Sequence, residues 1–518
     1  MIVSKSAKDI AKVAFATLGS RILGLARDAA TMASLGMGAI SAAYTFAFTL
    51  PNLFRRLLGE GALASAMVPV FSQALRDGGT DEAFAFLNKT LTRAAILFSA
   101  VVAAFSAAAL AAGFGISGAE RFVLGAQFSA LMMPYMLLIC LAAVFSAALN
   151  VLGSFGAPSV GPMALNISII AAIFCGRAAF GASMEALAWC MCAGWLVGGA
   201  FQLAIPAAYL RKKGWRFKFD LGKSPRLSEL YALFIPACLG AAVIQINILV
   251  SKMLALFISD AALPAIYISS RLVELPLGVF TLAIATVYFP KLALLNSKRA
   301  HGEYKENYAR GFVMTMCVTI PAAAGLAVLG RDILTVLFEW GIFKAGDVDI
   351  CLPVLAASAI ALPFYAISTF ATRGFHSAKD MKTPMRVSCA VIAVNMFFSI
   401  LLMFKWQAVG LALANTAAAA AQAAMLSGRL GRAFGSFGTR GEILKILMAT
   451  AAMCAFVALA RAGCGIFLEG KPLAIASCFG AIPAAILFYF GALRYLNFKQ
   501  LRDFELFFAK SRWNRTNA

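Results

Sequence analysis

The stretch SRILGLARDAATMASLG, residues 20–36, decides how this chain is read. It lies inside an apolar run suited to crossing a bilayer, yet it carries Arg21, Arg27 and Asp28. A charge at bilayer depth costs about 2.5–3.5 kcal/mol on insertion scales. With a helical advance of about 100° per residue, Thr17, Ser20, Arg21, Gly24, Arg27, Asp28, Thr31 and Ser34 fall within an arc of about 140°. Leu18, Leu23 and Ala26 lie opposite. The charges therefore form one polar stripe facing something wet or anionic, and Gly24 lets another group approach closely.

The rest of the chain supports a membrane reading. Of 518 residues, 62% are hydrophobic and only 13% charged, with a mean hydropathy of +0.84. Soluble domains carry about 25% charged residues. Apolar segments recur along the whole length, which predicts an all-α, polytopic membrane protein. Fourteen spans are expected. The first six lie near 10–33, 38–58, 88–113, 127–151, 162–182 and 187–210, and the next six near 230–257, 264–290, 311–330, 351–373, 384–404 and 407–428. Two more lie near 442–462 and 473–494. The N-terminal MIVSKSAKDIAKVAF has no small-residue cleavage site behind a short apolar core, so it reads as a retained helix.

The net charge of +22 raises the question of nucleic acid. Placement answers it. With the N-terminus in the cytoplasm, 34 basic residues fall on the inner side and seven on the outer, which is the positive-inside pattern. The seven basic residues of RKKGWRFKFDLGKSPRLSE, 211–229, make up the largest inner loop. Basic loops of this kind also suit anionic lipid headgroups. Both termini are expected in the cytoplasm and no nucleic acid is expected as a partner. The eleven cysteines lie mostly within apolar segments without metal-ligand spacing, and with two histidines a metal site is not expected.

The 211–229 loop divides the first six spans from the second six. A faint internal repeat links the halves: GALASAMVPVFSQAL (61–75) echoes FTLAIATVYFPKLAL (280–294), each placed at the close of its half's second segment. Such repeats are common in transporters.

Four of the 45 basic residues belong to neither loop set: Arg21, Arg27, Lys252 and Arg271. Asp28 and Glu274 accompany them, and Arg271 and Glu274 sit i, i+3 beside Pro276, which weakens the helix there. One reading is internal charge pairing that holds helices in register. The other is a cationic site facing a substrate. The length of the stripe, and Arg21 without a local acid, favour the second. Arginine suits a phosphate because its planar fork binds oxyanions bidentately. Lys252 is expected to snorkel from the end of its span.

These residues sit in a set of motifs: SRILGLARD (20–28), LPNLFRRLLGEGALASAMVPVF (50–71), LNISII (165–170), SRLVELPLGVF (270–280), FEWGIF (338–343) and GFHSAKDMKTP (374–384). Together they resemble the MurJ (MviN) lipid II flippase family of the multidrug/oligosaccharidyl-lipid/polysaccharide (MOP) exporter superfamily. The resemblance runs over essentially the whole chain. It implies an N-lobe of six helices (1–210), the basic loop (211–229), a C-lobe of six (230–430), two helices forming a lipid-tail groove (431–496) and a cytoplasmic tail (497–518). It implies alternating access in the bacterial inner membrane, carrying undecaprenyl-diphosphate-linked muropeptide from the cytoplasmic to the periplasmic leaflet for peptidoglycan synthesis. It implies lipid II and membrane lipids as partners, a monomer, and company with the cell-wall synthesis machinery. Ser20, Gly24, Arg21, Arg27, Asp28 and Arg271 become substrate-binding candidates. Arg55, Glu60 and Glu274 become candidates for a gate or the cytoplasmic end.

The pattern departs from its relatives in places. Ala42 stands where relatives carry an acid in the second span, and Ser270 where an acid often precedes the arginine. Spans seven and eleven offer Gln245, Asn247 and Asn395 but no acid, so sodium coupling is not supported and the driving force is left between sodium and the membrane potential. No cofactor is expected. Fewer acids leave the arginines less neutralised, which favours a dianionic diphosphate. A flippase for another polyprenyl-diphosphate-linked glycan is the alternative. An enzyme would need a nucleophile, an acid/base pair or a metal-binding acidic cluster, and His301 and His376 lie in connections with no acidic partner pattern.

Overall fold

The computed structural model describes residues 2–57, 63–115, 120–154, 156–435 and 437–501. Among them the only regular secondary structure is helical, with no strand. Two compact units result: Met1–Pro264 with Trp340–Phe343, and Ala265–Glu339 with Lys344–Ala518.

The first unit holds α1 (Ile2–Leu35), α2 (Ala39–Phe54), α3 (Ala64–Gly115), α4 (Glu120–Met132), α5 (Pro134–Val151), α6 (Gly156–Phe180), α7 (Met184–Lys212) and α8 (Pro225–Ile258). α3 is broken at Gly78 and Gly79, the latter at φ +68°. α6 and α7 pack most closely, through small residues. A Cβ on Gly198 would lie 2.8 Å from the Leu165 Cα, and one on Gly194 2.7 Å from the Ala172 Cβ. Without a hydrophobic drive between helices in lipid, such close approach supplies the van der Waals contact that holds them.

The second unit holds most of α9 (Ala262–Pro276), a π-helical turn (Leu277–Thr281), α10 (Leu282–Ser297), α11 (His301–Val328) and α12 (Gly330–Phe338). It continues with α13 (Ala345–Ser377), α14 (Lys382–Phe434), α15 (Arg440–Cys464), α16 (Gly470–Ala476), a second π turn (Ser477–Ala481) and α17 (Ile482–Tyr495). α14 turns sharply at Gln407, whose φ is +49°. Its two arms are tied where Asn395 Nδ2 donates to Asn415 Oδ1 at 2.8 Å. The core is built on Tyr304, Tyr308, Phe370 and Tyr489, and the Tyr489 hydroxyl donates to the Cys317 carbonyl at 2.8 Å.

Among the described residues, ten helices are long and apolar enough to cross a membrane. The difference from fourteen lies in four places. α14 counts once although Gln407 divides it, and α2 has only 16 residues. α8 contributes the shorter apolar helix Gln245–Ile258, and the side chains of the first half of α1 are not among those described.

Two local expectations change. Residues 64–75 of the internal echo open α3 instead of closing the second segment, and the short amphipathic α12 was not expected.

Candidate functional site

α1 shows why its charges are tolerated. Its apolar residues face outward, with Leu18 53% and Ile22 62% exposed, while Arg27 (7%), Asp28 (4%), Thr31 and Ser34 are buried. The stripe turns inward and the apolar side outward, the reverse of a helix on a water-soluble protein.

Within the first unit the stripe ends in a closed cluster. Arg27 donates from Nε (3.1 Å) and Nη2 (2.6 Å) to Asp28 Oδ1, and from Nη1 to Asn166 Oδ1 at 3.1 Å. Asn166, on α6, donates in turn to the Ser20 carbonyl at 3.1 Å. Its amide also lies 3.6 Å from where a Cβ on Gly24 would stand, so Asn166 is the group that Gly24 admits. The Arg27 guanidinium sits 5.6 Å from the Trp195 ring centroid. Trp195 stacks on Phe48 at 5.6 Å and donates its N–H to the Tyr44 hydroxyl at 2.8 Å. On α8, Lys252 does not snorkel: its Nζ donates to Thr49 Oγ1 at 3.0 Å and lies 6.0 Å from the Phe48 ring. Two cations thus flank one aromatic stack, each interaction worth about 0.5–2 kcal/mol according to its desolvation.

Ser20, Arg21 and Gly24 lie nearer the surface and are only half-buried. Arg55 is half-buried and donates to Asn52 Oδ1 at 3.1 Å. It also lines a cavity of about 230 Å³ between α3, α5, α6 and α7, with Ser146, Asn150 and Gln202. Glu60 lies outside the described residues.

In the second unit, Arg271 donates to Glu274 Oε2 and to the Tyr267 hydroxyl, both at 3.2 Å. Its guanidinium lies 5.0 Å from the Tyr267 ring centroid, and its side chain is 34% exposed. The π turn begins one residue past Pro276. No group of three or more His, Cys, Asp or Glu suited to a metal ion occurs among the described residues.

Sequence reasoning found the charges but not what holds them. Asn166, Trp195, Tyr44 and Tyr267 received no role, although an asparagine within an apolar span was a usable signal, and the motif LNISII contains it.

Comparison with known proteins follows the same lines. The family model described as "Lipid II flippase MurJ" matches residues 32–479. A probable lipid II flippase MurJ from Rhizobium tropici is 34% identical over 420 residues, covering 79% of this chain and 78% of that protein. A solved lipid II flippase MurJ in an inward closed conformation superposes with a TM-score of 0.77 at 25% identity, covering 93% of this chain and 99% of the other. An inward-facing multidrug resistance MATE family transporter of the MOP superfamily shares the fold alone, with a TM-score of 0.64 at 14% identity over 79% of this chain and 94% of its own.

Proposed function

We infer the activity from one premise: this chain belongs to the lipid II flippase MurJ family. It carries lipid II, the undecaprenyl-diphosphate-linked muropeptide of peptidoglycan synthesis, from the cytoplasmic to the periplasmic leaflet by alternating access. The observation that carries this reading beyond membership is the inward polarity of α1, where half-buried Arg21 continues a stripe whose deeper end is closed by Arg27 and Asp28.

The geometry supports a division of labour. Moving a diphosphate through about 30 Å of hydrocarbon requires a polar, cationic path. In the first unit Arg21, with Ser20 and Gly24, contacts the phosphates, while Arg27, Asp28 and Asn166 hold α1 in place. In the second unit Arg271, steadied by Tyr267 and Glu274, offers its own fork. Arg55 and Glu60 serve the cytoplasmic end.

The protein performs transport, not catalysis, in the bacterial inner membrane, with both termini in the cytoplasm and fourteen crossings. It acts as a monomer, alongside the cell-wall synthesis machinery. It uses no cofactor, and its driving force is a sodium gradient or the membrane potential.

The test is complementation in flippase-depleted cells by Arg21→Ala, Arg27→Ala and Arg271→Ala at normal protein levels. Each is expected to fail, and Arg→Lys to give intermediate growth because charge remains without the bidentate fork. Full complementation by all three alanine variants would remove the cationic-site assignment.

A further inference from the structure

The segment from Lys213 to Ser224, between α7 and α8, carries a feature that transport of the cargo does not use. It has no regular secondary structure, yet it is pinned along its length to α3. Trp215 is buried and donates to Asn88 Oδ1 at 2.9 Å, and Asn88 donates back to the Arg216 carbonyl at 3.0 Å. Arg93 donates to the Leu221 and Gly222 carbonyls at 2.8 and 3.1 Å, and Thr92 Oγ1 accepts from the Asp220 N–H at 3.2 Å. At its far end Arg226 pairs with Glu82 and Asp77. The backbone polar groups that hold this strap are thus met from inside.

What the strap turns outward is two sets of side chains. Phe217, Phe219 and Leu221 are 58%, 63% and 51% exposed. Arg216, Lys218 and Lys223 are exposed beside them. The alternation places Arg216 and Lys218 on the edge opposite Phe217, Phe219 and Leu221, and Lys223 follows the apolar edge past Gly222. The single acid between Arg211 and Arg226 is Asp220, and its carboxylate is engaged by the Gly222 N–H at 2.7 Å.

We propose that this strap is an interfacial anchor for anionic lipid, its apolar edge in the headgroup–acyl boundary and its basic edge on lipid phosphates. Position argues for lipid over a soluble partner. The strap leaves the end of α7, a helix long and apolar enough to cross a membrane, whose last turns carry Tyr209, Arg211 and Lys212. Tyr209 is 46% exposed, with the Lys212 Nζ 5.6 Å from its ring. An aromatic and basic residues at a span's end mark the interface, so the strap starts at headgroup depth. Charge complementarity and partial burial of the aromatic edge then act together. Lipid held here fastens α3, α7 and α8 at one end of the first unit, whatever cargo the protein carries.

The test uses the full chain in nanodiscs of phosphatidylcholine, with and without phosphatidylglycerol, and reads thermal stability together with lipids retained in native mass spectrometry. The wild type is expected to melt higher with phosphatidylglycerol and to retain it. Arg216→Gln/Lys218→Gln/Lys223→Gln is expected to lose that increment, with retention falling about five-fold per charge removed. Phe217→Ser/Phe219→Ser is expected to lose part of it. Both should melt like the wild type in phosphatidylcholine alone. Lys291→Gln/Lys298→Gln/Arg299→Gln, an exposed basic set on the last turns of α10 and just past it, should keep most of the increment. Equal responses of the strap and control variants would overturn the proposal. So would an unchanged lipid response with loss of a co-purifying soluble protein, which would assign the strap to a protein partner.

Discussion

Asn166 and Arg27 stand 139 residues apart in sequence and are joined by a 3.1 Å hydrogen bond. Through it α6 holds the charged end of α1, because the same asparagine returns a hydrogen bond to the Ser20 carbonyl. A buried ion pair between adjacent residues cannot by itself fix one helix against another. Asn166 turns the Arg27–Asp28 pair into a tie between helices.

Asn166→Ala therefore removes a hydrogen bond to a buried cation and leaves the Ser20 carbonyl without this donor. The expected loss is about 1.5–3 kcal/mol of stability. Thermal melting in detergent should show it, and complementation should weaken without being abolished, since Arg21 and Arg271 remain. A melting point equal to the wild type would mean that the tie carries no energy.

Gly341 sits at φ +60°, where a Cβ would lie 2.2 Å from the Ala33 carbonyl oxygen. The Ile342 N–H donates to that same carbonyl at 2.9 Å, so the FEWGIF turn is seated on the end of α1. Gly341→Ala should cost about 1–3 kcal/mol through strain and overpacking. Gly346→Ala is the control, because a Cβ there meets nothing within 4 Å. Melting curves of the two variants should separate clearly.

Much of this architecture was legible in the sequence, and the reasons are physical. Hydropathy reports spans because lipid demands apolar side chains. The α1 stripe was legible because helical periodicity gathers residues 20–34 onto one side. The partners were not. Asn166 and Trp195 reach Arg27 through tertiary packing, and Lys252 reaches Thr49 from a helix some two hundred residues later, as no local pattern encodes. The break at Gln407, with its positive φ, falls where the spans 384–404 and 407–428 part, and Pro276 marks the helix just before the π turn at Leu277–Thr281; the π turn at Ser477–Ala481 had no such mark.

In the second unit, the first turn of α12 carries Asp332, which is buried and accepts from Arg461 Nε at 2.6 Å and Nη2 at 3.1 Å. This fork fastens α12 to α15. Asp332→Ala leaves the Arg461 side chain, 36% exposed, able to turn to solvent. The cost should be about 1–2 kcal/mol, below the value for a fully buried pair. Adding Arg461→Met should recover part of the lost melting temperature, and a further drop in the double variant would contradict the pairing.

Asp380 lies between α13 and α14, where hydrogen bonds from Thr383 hold its carboxyl below the usual carboxylate range. The Thr383 N–H bond measures 2.9 Å and meets an open donor of the first turn of α14. Because the folded value is depressed, the contribution is fully present above about pH 4, the unfolded value, and disappears as pH falls through the folded one. Asp380→Ala should cost about 1 kcal/mol at neutral pH. Melting of the variant should converge with that of the wild type in strong acid. A gap that persists there would show that the charge is not responsible.

Exposure of lipid II at the periplasmic side reads its movement across the membrane most directly. Cells depleted of this protein should accumulate total lipid II while the fraction open to a periplasmic probe falls, and the wild-type chain should restore exposure where Arg21→Ala and Arg271→Ala do not. A normal exposed fraction in depleted cells would contradict the assignment and point to another polyprenyl-linked cargo.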